Sequence, residues 1–308
     1  MEIRGIHYLS DQPVSVTVKD GIISNVSELK ESSGNLFHYI APGLIDNQVN
    51  GYNGVDFSSH NIDRDSLVKA AEALWRDGVT SFVPTVVTGS HDSLVKSFQL
   101  LSGIAFDHAL KGTIPGFHLE GPYLSREAGF YGCHPAEHLR NPSWKEFCLY
   151  QEAAGGRIIQ VTLAPELDGA FDFIKRLRKA GIVAAIGHTN ANAEQVNRAV
   201  ECGARISTHL GNGCASMIHR HYNPLWPQLA NDRLVASLIA DGHHLIPEEI
   251  KAFCRMKRFE NIILTSDVTF LIGMPPGYYD YMGSKIVKTE SGLIENPDRS
   301  CLAGSSMP

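Results

Sequence analysis

Glu120 in GFHLEGP, His188 in VAAIGHT, His209 in RISTHLGN and Asp267 in IILTSDV each stand where an apolar run stops. One carboxylate and two imidazoles suit a single divalent metal with a coordination position left open, as in catalytic rather than structural zinc sites. The same donor set suits ferrous iron. Such an ion lowers the pKa of a bound water from about 16 towards about 7. A further aspartate beside it can take the water's proton and hand it on. The chemistry these residues point to is metal-assisted hydrolysis.

Four residues so far apart in the chain meet only if the fold brings their strand ends to one rim. Eight apolar, β-branched runs bounded by Gly, Pro or polar clusters read as strands: 44–48, 81–87, 114–120, 157–166, 182–188, 205–209, 234–241 and 261–267. Most are nearly continuous in hydrophobicity, as parallel strands buried on both faces are. Helical patterns fall between them at 63–76, 91–101, 142–154, 171–179, 193–202 and 247–256, and the stretch between the sixth and seventh strands reads as irregular around Pro224 and Pro227. Alternating strand and helix with right-handed crossovers predicts an α/β fold, a (β/α)8 TIM-type barrel with its site at the carboxyl ends of the strands. Those ends carry Gln48, Glu120, Glu166, His188, His209, His243, His244 and Asp267.

The first forty residues follow another rhythm. Ile3–Leu9, Val14–Val18 and Ile22–Val26 read as short strands, the last two joined at Lys19-Asp20-Gly21. The expected organisation is a small β subdomain over 1–40 and a barrel over 41–308. The barrel is expected to lack its last helix and the strands that would close the small sheet.

Composition bounds the rest. The 308 residues exceed the roughly 250 of a typical single-domain barrel. Against 27 basic residues stand 33 acidic ones, a net charge of −6, with no basic block or stripe, so nucleic acid is not an expected partner. The six cysteines have no CxxC spacing and read as inert thiols in a reducing, cytoplasmic setting. MEIRGIHYLS holds no long apolar stretch, so neither a signal peptide nor a membrane association is expected.

The chain resembles the N-acetylglucosamine-6-phosphate deacetylases of the amidohydrolase superfamily. The stretches that carry the likeness are APGLIDNQVNG (41–51), GVTSFVPTVVT (78–88), GFHLEGPYLS (116–125), GIVAAIGHTNA (181–191), STHLGNG (207–213), IADGHH (239–244), LTSDVT (264–269) and LAGS (302–305), in the family's order. The resemblance implies removal of the acetyl group from N-acetylglucosamine 6-phosphate, with Glu120, His188 and His209 as metal ligands and Asp267 as catalytic acid/base. It implies that His244 contacts the substrate and assists catalysis. Further substrate contacts are implied for His134, for Asn212 and Gly213, for Arg220 at the sugar phosphate, and for Leu302, Ala303, Gly304 and Ser305. Gln48-x-Asn50 replaces the His-x-His of many amidohydrolases, which implies one divalent metal, zinc in the first instance and iron in the second. A homodimer is expected by analogy.

Departures cluster where sugar and phosphate would lie. Gly211-Asn212-Gly213-Cys214 follows His209-Leu210, and HRHYNPLWPQ (219–228) is rich in aromatic groups. An amidohydrolase acting on another N-acyl amine or a cyclic amide is therefore a competing expectation, and a barrel that only binds its ligand is another.

Overall fold

A computed structural model describes residues 1–29 and 38–307, and its contacts divide into two compact units, Met1–Leu44 and Ile45–Pro308. The first is a four-stranded sheet. Glu2–His7, Pro13–Lys19 and Ile22–Glu28 run antiparallel in sequence order, and Tyr39–Ile40 pairs parallel with Glu2–His7 on the other side. Lys19 pairs with Ile22 across Asp20-Gly21, both at positive φ, as a two-residue turn with the twist of a hairpin requires.

The second unit is built on eight parallel strands: Leu44–Val49, Val79–Val87, Phe117–Glu120, Ile158–Leu163, Val183–Ile186, Ala204–Ser207, Val235–Leu238 and Ile262–Leu264, hydrogen-bonded in chain order. Helices Arg64–Arg76, His91–Ala105, Trp144–Ala153, Ala170–Lys179, Ala193–Cys202, Leu225–Ala230 and Pro247–Lys257 fill the seven intervals. The (β/α)8 barrel expected from the sequence is present. Local chemistry starts the helices where polar residues allow it. Asp63 with Ser66, and Asn192 with Gln195, form capping boxes, each satisfying an amide that the first helical turn leaves without a partner. Leu67, Ala70, Ala71 and Leu74 then face the core on one side of the first helix, at the spacing a helix demands.

The seam between the first and eighth strands is narrow. It consists of a parallel bridge between Val49 and Val268, with Asp267 N–H donating to the Gln48 carbonyl at 3.1 Å and Asn50 N–H to the Val268 carbonyl at 2.8 Å. Asp46 reinforces it from inside. Its carboxylate accepts from the Thr265 hydroxyl at 2.6 Å, from the Ser266 hydroxyl, and from the amides of Ser266 and Gln48 at 3.1 Å each.

Two elements depart from the sequence reading. Leu225–Ala230 is a short helix where an irregular stretch was expected, because Pro224 sits at its cap and Pro227 falls in the first turn, where no intrahelical amide bond is lost. Beyond the eighth strand, Gly277–Tyr281, Ser284–Lys288 and Ile294–Glu295 form an antiparallel sheet that the sequence reading leaves blank. Its inner residues Tyr281, Ile286 and Ile294 pack with Leu271 and Ala303 in a cluster of their own. Among the described residues no helix is long and apolar enough to cross a membrane.

Candidate active site

Glu120 ends the third strand, but His188, His209 and Asp267 lie two or three residues beyond theirs, each with a positive φ of 49°, 31° and 50°. Non-glycine residues adopt that conformation at a cost and concentrate at functional sites. The turn aims each side chain inward. His209 Nε2 stands 2.9 Å and His188 Nε2 3.5 Å from the same Glu120 oxygen.

A second pair of side chains ties this group to Asp267. Gln48 Nε2 donates to Glu120 at 3.0 Å and to Asp267 at 2.9 Å, and Asn50 Nδ2 donates to Asp267 at 2.7 Å. One amide thus bridges two buried carboxylates. Gln48 does this from inside the barrel, whereas Asn50 also lines the cavity above. That cavity, about 830 Å³, is walled by Glu120, His134, His188, His209, Asn212, Gly213, His244, Asp267 and Leu302 to Gly304. Its size falls within the usual range for small-molecule sites.

Electrostatics sort the protonation states. Burial works to raise the Glu120 pKa, yet the hydrogen bonds from His188 and His209 outweigh it and hold the group well below its ordinary value. Burial lowers His188, and lowers His134 to about 3, so both are neutral near pH 7. His209 also loses hydration, but Glu120's hydrogen bond and charge win and raise it. Burial, seconded by Glu120's charge, pushes Asp267 up to about 6.

Ring orientation follows from the outer nitrogens. His188 Nδ1 donates to the Phe130 carbonyl at 3.2 Å, and His134 Nδ1 lies 2.8 Å from the Thr88 hydroxyl, which donates to the Glu120 carbonyl at 3.5 Å. Nδ1 of each ring is thus engaged by an outer partner and Nε2 is the nitrogen left for the site, 3.5 Å from Glu120 in His188, the arrangement outer partners impose on metal-binding histidines. Ligand atoms of Glu120, His134 and His188 lie within 4.8 Å of one another, all buried, so the residues present fit a metal ion. His134, expected at the substrate, stands at ligand distance. Gly213 makes room for this: a Cβ there would lie 2.8 Å from His188 Nδ1.

The remaining expected residues separate. His244 lines the cavity with Nδ1 bonded to Asp241 at 2.8 Å, leaving Nε2 unengaged among the described residues. The Asn212 Nδ2 atom is buried, its residue lies on the wall, and among the described residues that nitrogen has no partner. Ser305 is absent from the wall; its backbone pairs instead with Asp267 and Thr269 at 3.0 Å each, fixing the Leu302–Gly304 stretch beside Asp267. Arg220 is also off the wall. Its loop is exposed, held by Trp226 Nε1 donating to the Arg220 carbonyl and by His219 Nδ1 accepting from the amides of His221 and Tyr222. The arginine on the wall is Arg299, 3.4 Å from Glu295. Sequence spacing gave no sign of it, nor of His118, which bonds Thr162 at 2.8 Å and Thr85 at 3.3 Å in the barrel interior beneath the site. The inert reading of the cysteines is also incomplete, since Cys133 and Cys301 share the wall in direct contact.

No established family model matches the chain. Curated relatives do. N-acetylgalactosamine-6-phosphate deacetylase of Shewanella sp. (strain ANA-3) is 32% identical over 300 residues, 94% of this chain and 74% of the relative. N-acetylglucosamine-6-phosphate deacetylase of Bacillus subtilis (strain 168) is 32% identical over 301 residues, with the same 94% and 74% coverage. The chain belongs to the N-acetylglucosamine-6-phosphate deacetylase family. Solved structures agree. The Mycobacterium smegmatis N-acetyl-D-glucosamine-6-phosphate deacetylase superposes with a TM-score of 0.87 at 26% identity, covering 100% of this chain and 81% of that one. A point mutant of it in complex with N-acetyl-D-glucosamine-6-phosphate gives 0.86 at 26% identity, over 100% and 80%.

Proposed function

We propose that the chain hydrolyses the N-acetyl group of an N-acetylhexosamine 6-phosphate, N-acetylglucosamine 6-phosphate first, releasing acetate and the free amino sugar. The observation that carries this reading is the hydrogen-bonded run from His209 through Glu120 and Gln48 to Asp267 on the wall of a substrate-sized cavity. Glu120 and His188, expected as ligands, group with His134 within ligand reach and would hold one divalent ion. The third expected ligand, His209, is placed by its 2.9 Å contact with Glu120 and would join them as the rings draw in around the ion. Imidazoles with one carboxylate favour zinc, and ferrous iron competes for the same donors. Bound there, the ion supplies Lewis acidity towards water and towards the amide carbonyl.

The protein's own groups do the rest. Asp267, with a pKa near neutrality, takes the proton of the attacking water and delivers it to the departing nitrogen. Gln48 and Asn50 hold its carboxylate in place without adding charge. His244, anchored through Nδ1 by Asp241, presents Nε2 to the carbonyl oxygen or a sugar hydroxyl. The unpartnered Asn212 amide donates to a substrate oxygen, a bond that replaces one it otherwise lacks. Leu302 to Gly304 close the apolar side of the cavity. The exposed Arg220 belongs to the phosphate only if its loop folds over a bound sugar, and Arg299 is the cation already on the wall.

Acetate release from N-acetylglucosamine 6-phosphate and from its galacto epimer, by protein loaded in turn with zinc and with ferrous iron, tests the reading. Release is expected from at least one epimer and to fall about 10³-fold or more in Asp267→Asn, which cannot accept the proton. Equal rates in the variant would remove Asp267 from the chemistry. A folded, metal-loaded protein inactive on both epimers would point to a different N-acyl amine or a cyclic amide.

A further inference from the structure

Cys133 precedes His134 on the loop after the third barrel strand, and Cys301 precedes the Leu302–Gly304 wall. They are 168 residues apart in sequence, both are free, and their sulfurs are 2.6 Å apart. Cys133 Sγ also lies 3.1 Å from Asn296 Oδ1 and 3.2 Å from the Leu302 carbonyl, so the thiol is held against the segment that carries its partner. A disulfide spans about 2.05 Å between sulfurs, so bond formation needs only a small approach.

The two segments are opposite in origin and adjacent in function. His134 on the first is fixed by Thr88 beside Glu120. Ser305 on the second is paired through its backbone with Asp267. We propose that Cys133 and Cys301 are a redox-active dithiol whose disulfide ties these two walls together and slows turnover. The slowing rests on the deacetylase reading; the bond itself does not.

The oxidant is a low-molecular-weight disulfide, RS–SR. One cysteine thiolate attacks it, the RS–SR bond breaks, a mixed disulfide forms and RS⁻ departs with the electron pair. The second cysteine then attacks the protein sulfur of that mixed disulfide, gives up its proton to water, and expels the second thiol. Two protein thiols are oxidised by two electrons, and one small disulfide is reduced to two thiols. Once the walls are tied, substrate entry and product release lose the freedom that often sets turnover.

Oxidised glutathione applied to the full, metal-loaded chain is the test, followed by thiol counting in denaturant, peptide mapping and acetate release. The expected result is two thiols lost, a Cys133–Cys301 linked peptide, and kcat/KM down about tenfold, restored by dithiothreitol. Cys301→Ser should give no linked peptide and an oxidised-to-reduced rate ratio of one, and Cys133→Ser the same. A stable glutathione adduct on one cysteine, or no linked peptide, overturns the dithiol. A linked peptide with unchanged turnover overturns the slowing. Reduced protein that releases no acetate would sink the deacetylase reading instead, while the peptide map still decides on the bond.

Discussion

Gln48 shows how a neutral side chain can govern two charged ones. Its amide nitrogen is shared between Glu120 at 3.0 Å and Asp267 at 2.9 Å, carboxylates that would otherwise repel in a buried setting. The group is itself off the cavity wall, so it acts on substrate only through those two. Gln48→Leu keeps the volume and deletes the donor. Outer partners of metal sites typically contribute about 10–100-fold in metal affinity or activity, and that is the loss expected here. Because Gln48 does not meet the substrate, kcat should fall while KM stays within about twofold of the parent. A KM that rises in step with the loss would show that Gln48 shapes the substrate site directly. Part of this residue-scale picture was legible in the sequence: Glu120, His188, His209 and Asp267 each follow an apolar strand, the first three beside a Gly or Thr and Asp267 after Ser266. What was not legible is which side chains stand behind them, since Thr88, Phe130 and Asp241 act through contacts that no spacing encodes.

At the scale of elements, the barrel depends on how its first strand meets its last. One bridge and two backbone hydrogen bonds close the seam, the Gln48 and Asn50 side-chain amides cross it to Asp267, and Asp46 adds to it by accepting from two hydroxyls and two amides of both strands. Burial raises the Asp46 pKa, and the Ser266 and Thr265 hydroxyls oppose that rise. Asp46→Ala would leave several buried donors unpaired, at about 1–3 kcal/mol for the worst of them, so a loss of roughly 2–4 kcal/mol in denaturant unfolding is expected. A change within about 0.5 kcal/mol would mean that water or neighbouring groups satisfy the seam without it. The strands and six of the helices could be placed from hydrophobic runs, because a parallel barrel buries its strands on both faces. The hairpin at Gly277–Lys288 could not. Its strands, GYYDY and SKIVK, mix aromatic and charged residues, and the turn at Met282-Gly283 with both φ positive lacks the Asn-Gly or Asp-Gly sequence that marks such turns.

At the scale of the whole molecule, the acidic groups divide into those the fold favours as anions and those it does not. Glu120 and Asp241 lie below their ordinary values, the first through His188 and His209 and the second through His244, each against burial. Asp56 lies on the other side. Burial pushes its carboxyl from 3.8 to about 6, and only the Ser58 amide, donating at 2.8 Å, opposes the shift. A raised carboxyl binds its proton more tightly in the folded chain than in the unfolded one. Stability from Asp56 is therefore present at low pH and lost as pH rises from about 4 to about 6, with the full penalty in force at pH 7. Two units correspond to about 2.7 kcal/mol, and the partial exposure of the residue reduces the expected figure to about 1–2 kcal/mol. Asp56→Asn keeps an oxygen for the Ser58 amide and removes the charge. It should stabilise the protein by that amount at pH 7 in urea unfolding, with the gain shrinking as pH falls through about 6 and gone only near pH 3, where the parent carboxyl is protonated in both the folded and the unfolded chain. A gain that persists undiminished near pH 3 would assign the effect to packing, and a loss at pH 7 would show that the Asp56 carboxylate is paired with a cation in solution.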